Sequence, residues 1–496
     1  MKRATDAATI ALLCLVACVR VFVYSAAFPF FNNVDEQAHF DLVCKYSHGH
    51  VPRQLESYGR ESAEVIALYQ SPEYLLSSRD GTEPDTPPPK WTLPDAERSA
   101  ALAAALAGRE RRFNHDATQP PVYYAVAGAW YALGRGFGLH AGSLLYWIRF
   151  LNVPLMGILV GLSYVFMKRR YPSRRFLHLG VPLLLACFPQ DVFYSINNDV
   201  LSALVTGAAF YGLLDLAATP RRGYGFRTLI GLSCAVAVLV KFSNVALLAI
   251  LAVVLARETI RLHRASQLGA AWAKTATTLA AAVVPIGAWL LRNLRVLGDA
   301  TGSSAKISML GWTAMPAGRI PDHPIFTPGG LSYFWGETLP RFWRGEFVWK
   351  LAPLASGWSD RFYSWSSLAC LAAAAFVLLT TWRSADREER LANGTSLLLF
   401  AGSMLFLVAV SVSYDFGDCW YPSRERPYVT SGRLVLGALV PFMALYLQGL
   451  ERILGWARIA RYRWVVVGAI AAVMAVSQIA VTHQVFASAY NWFHLP

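Results

Sequence analysis

The sequence predicts an all-α polytopic membrane protein, with about eleven transmembrane helices and two large outer-face loops. Three observations predict it. Of 496 residues, 55% are hydrophobic and only 15% charged, where soluble domains carry roughly 25% charged residues. Most of the apolar excess is gathered in runs of about 20 residues, the length a helix needs to cross a hydrocarbon core about 30 Å thick. The Lys and Arg behind the net charge of +14 fall in short gaps between these runs, where orientation in a membrane accounts for them. Such a charge would suggest nucleic acid in a soluble chain. Here it does not, and membrane lipids are the expected surroundings.

The first run, 9–28, follows Lys2 and Arg3. Ser25-Ala26-Ala27 resembles a signal cleavage site, but the run is long enough to span, so it is read as a retained helix with a cytoplasmic N-terminus. Ten more runs lie near 143–167, 176–193, 200–218, 228–241, 244–257, 274–294, 362–382, 396–414, 433–450 and 464–483. A further run, 120–139, is placed outside the bilayer. If it spanned, the cluster Lys168, Arg169, Arg170, Arg174 and Arg175 would face outward, whereas without it the basic gaps all face the cytoplasm.

This topology leaves 29–142 and 295–361 on the outer face, both long for connectors. Asp95 to Arg112 reads as a helix lying on the surface. Trp312, Trp335, Trp343, Trp349 and Trp358 in the second loop suit a membrane–water boundary. The short runs 228–241 and 244–257 predict a hairpin broken at Lys241-Phe242-Ser243-Asn244. The chain divides into an N-terminal transmembrane module, 1–294, holding the catalytic residues and the outer loop 29–142. The loop 295–361 and a C-terminal bundle, 362–496, follow. Of seven cysteines, only Cys44 and Cys419 are placed to form a disulfide.

Ionisable groups gather at the outer ends of the spans, where burial near lipid is costly and a functional cavity is the usual reason for it. Asn32-Asn33-Val34-Asp35-Glu36-Gln37-Ala38-His39 follows the first span. A carboxylate held there, near apolar walls and cations, is placed to act as a general base. The alternative is that Asp35 and Glu36 cap the next helix. Asp191 and Asp199 lie on the same side as Asp35, as do Arg149, Lys241, Arg292 and Arg433. Each cation taken singly is read as snorkelling to headgroups. Together with a carboxylate pair they suit an anionic lipid phosphate with a reactive bond. Arg20, inside the first span, either faces the same cavity or pairs with an acid such as Asp215. Glu36 and His39, three apart on one helix face, leave a divalent metal open as a cofactor.

A first span followed by Asp35-Glu36 and His39, an outer loop ending in Gln119-Pro120-Pro121-Val122-Tyr123-Tyr124, a later Asn197-Asn198-Asp199 and a Gly432-Arg433 opening a late span resemble the lipid-dependent glycosyltransferases of the GT-C fold. That group includes protein O-mannosyltransferases, lipid A aminoarabinose transferases and a large bacterial branch. Gln119 stands where the family has His. The resemblance implies a polyprenyl-phosphate-linked sugar as donor, transfer with inversion on the outer face of the bacterial cytoplasmic (inner) membrane, and a glycan, lipid or protein acceptor. It makes Asp35 the base, with Glu36 supporting it or a metal, and Arg433 the donor-phosphate ligand. Asp191 or Asp199 becomes the second acidic position. Lys241 and Arg292 join the phosphate site on predicted depth and charge, and Tyr123, Tyr124 and Gln119 are assigned to the acceptor or sugar. A transporter or flippase for a lipid-linked saccharide, or a polysaccharide polymerase or ligase, is the competing expectation.

Overall fold

The computed structural model describes residues 2–32, 35–76, 86–109, 111–219, 222–264, 268–381 and 386–495. Its helices are α1 (Lys2–Ala27), α2 (Glu36–Ser47), α3 (Arg60–Tyr69), α4 (Asp95–Arg109), α5 (Pro121–Gly136), α6 (Ala141–Arg149), α7 (Asn152–Arg170), α8 (Arg175–Ala186), α9 (Asp199–Ala218), α10 (Tyr224–Val240), α11 (Ala246–Arg264), α12 (Leu268–Leu297), α13 (Ser304–Met309), α14 (Pro328–Arg344), α15 (Gly357–Thr380), α16 (Arg387–Ser413), α17 (Leu439–Trp456) and α18 (Arg463–Phe486). Each of the eleven apolar runs coincides with a helix or helix pair. Among the described residues, eight helical stretches are long and apolar enough to cross a membrane. Among the described residues, strand pairing is confined to Thr313–Ala314 with Tyr414–Asp415, Val348–Trp349 with Ala352–Pro353, and the isolated bridge between Ser57 and Phe113.

Burial separates the helices that fill the bundle from those that face lipid. From Leu439 to Leu450, α17 is buried on every side, packed against α8, α9, α15 and α16. By contrast, α1 exposes Leu12, Leu15 and Val19, α12 exposes Leu279, Val283 and Val284, and α18 exposes Val465, Val476 and Ile479. Such outward apolar faces are stable in hydrocarbon and costly in water. The protein is an all-helical, multi-pass membrane protein. The basic gaps meet at one end of the bundle, where Arg175 pairs with Asp6 at 2.7 Å, Arg170 with Glu388 at 3.0 Å and Arg174 with Glu451 at 2.6 Å.

The opposite end carries the layer that the sequence predicts on the outer face, the outer layer. There α4 buries none of its residues, as its composition predicts. The run 120–139 forms α5, a 16-residue helix packed against α2. The hairpin breaks where predicted: α10 stops at Val240, and Asn244 Nδ2 donates to Ala237 O at 2.8 Å before α11 begins. Segment 86–91 is fastened by the chain beyond α18. The Trp91 indole donates to His494 O at 3.2 Å, and the Tyr490 hydroxyl to Pro87 O at 2.8 Å.

Several expectations are corrected. Cys44 and Cys419 are both free: Cys44 is buried in the core of the outer layer, and Cys419 lies in the loop beyond α16. Arg20 meets neither the site nor Asp215. It donates to Ala186 O at 2.8 Å and to the Tyr194 hydroxyl, while Asp215 pairs with Arg222. Trp343 and Trp349 are core rather than boundary residues, and the Trp343 indole donates to Ser367 Oγ at 2.9 Å.

The two layers are joined by a buried fork. Arg149 Nε donates to Glu36 Oε1 and Nη2 to Glu36 Oε2, both at 2.8 Å. The same guanidinium donates to Ser25 O at 3.1 Å and Pro29 O at 2.9 Å, and stacks 4.3 Å over the Phe30 ring. Glu36 also accepts the backbone N–H groups of Phe31 and Ile196 at 2.9 Å. Every charge here is satisfied, so removing one partner strands the other in the interior. Arg149→Met is expected to cost about 3–5 kcal/mol, seen as a lower melting temperature of the detergent-purified protein.

Candidate functional site

Asp35 precedes α2 with its backbone in the left-handed region, φ 63° and ψ 3°. Asp tolerates this conformation better than most residues, and residues held there collect at functional sites. Asp35 occupies the N-cap position of α2 and Glu36 its first turn, but the Asp35 side chain makes no capping bond to the helix. The carboxylate turns instead toward two cations. Oδ1 lies 2.9 Å from His115 Nε2, and Oδ2 accepts from Arg433 Nη2. Its side chain is 21% exposed, so it neither points into bulk water nor is sealed off.

Arg433 owes its position to the glycine before it. A Cβ on Gly432 would stand 2.0 Å from Phe342 N, so only glycine lets this turn pass against α14 and present Arg433 to Asp35. Beneath it, Lys241 Nζ pairs with Asp199 Oδ1 and lies 3.5 Å from Arg433 O. Glu346 is in electrostatic reach of Arg433, Lys241 and Arg341. Several polar atoms in this layer are buried with no hydrogen-bond partner among the described residues: Arg433 Nε, Asp199 Oδ2 and Glu346 Oε1. Orphaned buried groups in a charged site are where a ligand is expected.

A second acid stands beside the first. Asp116 is buried, and its Oδ1 accepts from Lys306 Nζ at 2.6 Å and from Gln119 Nε2 at 2.9 Å. Its Oδ2 lies 3.6 Å from His115 Nε2. Lys306 comes from α13 in the second outer loop, which also joins the first where Thr118 Oγ1 donates to Gly302 O at 2.6 Å. Burial opposes the ionisation of Asp35, but Arg433 and His115 outweigh it and hold the carboxyl well below the usual carboxylate range. Asp116 is lowered likewise, burial being outweighed by Lys306 and His115. Burial opposes the His115 imidazolium, and Asp116 and Asp35 outweigh it, raising His115 above its ordinary 6.5.

The remaining expected residues divide clearly. Glu36 belongs to the Arg149 fork, pointing away from the Asp35 cluster. His39 Nδ1 is 2.7 Å from the Tyr124 hydroxyl, and burial lowers its affinity for a proton. The Glu36–His39 metal pair is therefore not formed, and among the described residues the ligand-type grouping is Asp35, His115 and Asp116. Tyr123 and Tyr124 are core side chains, 1% and 0% exposed, and offer no platform to a sugar, whereas Gln119 does reach the site. Arg292 lies apart, donating to Pro52 O and to Asn293 Oδ1 at 3.1 Å and stacking over Trp289. Asp191 accepts from Phe347 N at 2.6 Å and fills the space where Gly345, at φ 94°, lacks a side chain, so it shapes the turn that carries Glu346. Asp116, Lys306 and Glu346 were missed. The Asn114-His115-Asp116 triplet just before Gln119-Pro120-Pro121 was the available signal for the first.

Residues 18–418 match the family described as "Predicted membrane protein (DUF2142)". The chain belongs to that family. No curated protein matches it. Two solved structures are similar, both of the Archaeoglobus fulgidus oligosaccharyltransferase: one in complex with Zn and sulfate, the other, AglB, with an inhibitory peptide and a dolichol-phosphate. Each is 12% identical with a TM-score of 0.42, and the matches cover 94% and 98% of this chain but 53% and 56% of those. The chain thus spans about half their length.

The raised His115 sets a pH dependence. Its pairing is fully present below pH 6.5, where the imidazole is protonated in the unfolded chain too, and is lost as pH rises through the higher folded value. The thermal-stability advantage of wild type over His115→Gln should therefore shrink from pH 6.5 upward, in melting curves recorded across about pH 5.5 to 9.

Proposed function

We propose that this protein is an integral-membrane glycosyltransferase, moving a sugar from a polyprenyl-phosphate donor to an acceptor on the outer face, with inversion. The observation that carries the reading is the meeting of a partly exposed carboxylate, Asp35, with Arg433, whose guanidinium keeps a buried, unpartnered Nε–H and whose backbone carbonyl is met by Lys241. Two cations next to an acid in reach of water match the needs of phosphate departure and proton removal.

In the resting protein Asp35 is ionised but a weak base, because Arg433 and His115 stabilise its charge. A donor phosphate seated on Arg433 Nε and Lys241 competes for the guanidinium, and loosening its bond to Asp35 raises the basicity of the carboxylate. The acceptor oxygen then attacks the anomeric carbon as its proton passes to Asp35. The bond from that carbon to the phosphate oxygen breaks, and the polyprenyl phosphate leaves with its charge held by Arg433 and Lys241. One displacement inverts the configuration. Asp199 holds Lys241 in place, while Glu36 acts as a positioning residue that fixes the backbone next to Asp35. Asp191 orders the turn behind Arg433, Gln119 steadies Asp116, and Arg292, Tyr123 and Tyr124 have no part in the reacting centre.

Asp35→Asn is expected to slow transfer by about 10²–10⁴-fold, the usual worth of a general base, in protein that still folds but melts lower because the pairing with Arg433 and His115 is lost. The measurement is release of polyprenyl phosphate from a panel of polyprenyl-phosphate sugars by the purified protein. Full activity in that variant sinks the assignment.

A further inference from the structure

Asp35, His115 and Asp116 each bring a ligand atom within 4.8 Å of the others, a donor set of oxygens and imidazole that suits a divalent cation. The polar contacts around them do not suit one. Lys306 Nζ and Gln119 Nε2 both donate to Asp116 Oδ1, His115 Nε2 is spent on Asp35 Oδ1, and Arg433 holds Asp35 Oδ2. An entering ion would have to take Asp116 Oδ2 beside an Oδ1 already held by Lys306, and separate His115 from Asp35. It would also bring two positive charges to a place where two carboxylates already face two permanent cations and an imidazole. Repulsion from Lys306 and Arg433 at such range opposes it.

We propose that Lys306 is the resident cation of this cluster, its tethered ammonium holding Asp116 in place of the divalent metal that Asp35, His115 and Asp116 would otherwise bind, so that, with Arg433 and His115 on Asp35, both acids are neutralised and oriented without metal. The side chain is 30% exposed, so it reaches the cluster from the water side, where an ion would also arrive. Lys306 touches Asp116 and not Asp35, so it is a positioning residue. Unlike a diffusing ion, it is delivered by the second outer loop and cannot be removed by a chelator. The inference does not rest on the transfer reaction, because its test is made on the resting protein.

The test is Mn²⁺ binding to the full-length, detergent-purified protein, followed by electron paramagnetic resonance, with melting curves for each variant. Wild type and Lys306→Arg are expected to bind no Mn²⁺ that Asp116→Asn removes. Lys306→Met is expected to gain one equivalent that wild type does not bind, and the Lys306→Met/Asp116→Asn double variant to lose it. A wild-type protein that already binds one equivalent, lost on Asp116→Asn, overturns the proposal however the Met variant folds. So does a Lys306→Met variant that melts like wild type and gains no ion. Loss of transfer in Asp35→Asn with no such gain would leave the enzymatic reading standing and remove only this one.

Discussion

The fork between Glu36 and Arg149 is the contact on which the site depends. Two carboxylates adjacent in sequence must point in different directions, and the fork settles which goes where. Glu36 is drawn inward by a guanidinium that also gathers the carbonyls at the end of α1, and its remaining capacity is filled by two backbone N–H groups. With Glu36 so held, Asp35 is forced into its left-handed turn and outward to Arg433 and His115. A buried ion pair is a poor source of net stability. Its use here is to specify geometry, fixing one acid so that its neighbour is available.

The same division explains why neighbouring acids behave differently. Glu36 has no access to water and four hydrogen bonds, so it has nothing left to react with. Asp35 has two cationic partners and an open side. The cations come from distant parts of the chain: His115 and Lys306 from the two outer loops, Arg433 from the start of a late helix, with Lys241 behind it at the hairpin. The site forms only when the bundle is assembled.

The fold was legible because a bilayer leaves little choice. Apolar runs must form helices that satisfy their own backbone, and the basic gaps all come together at one end. The site was half legible. Asp35, Lys241, Asp199 and Arg433 could be found because charge at the end of a span is costly and needs a reason. Arg292 met the same criterion and failed, since depth along a helix does not tell which way a side chain faces around it. Tyr123 and Tyr124 were misjudged because an aromatic pair in an outer loop looks like a sugar platform until the loop proves to have its own core. Lys306 carried no signal, being one lysine in a loop that meets its partner 190 positions away.

The fastening of segment 86–91 by the chain beyond α18 has a mechanical consequence. With Trp91, Pro87 and Glu73 bonded to the segment after the last helix, and with α2 stapled to α6, the first outer loop is sewn to the bundle at several points. The second loop reaches the candidate site through Lys306 and the Gly302 carbonyl on one side and through Glu346 and α14 on the other. That loop is anchored as well, by Phe347 N on Asp191, the Trp343 indole on Ser367, and the backbone N–H groups of Lys350 and Leu351 on Glu73 O and Tyr74 O, so the cluster lies between two walls tied to the bundle and to each other.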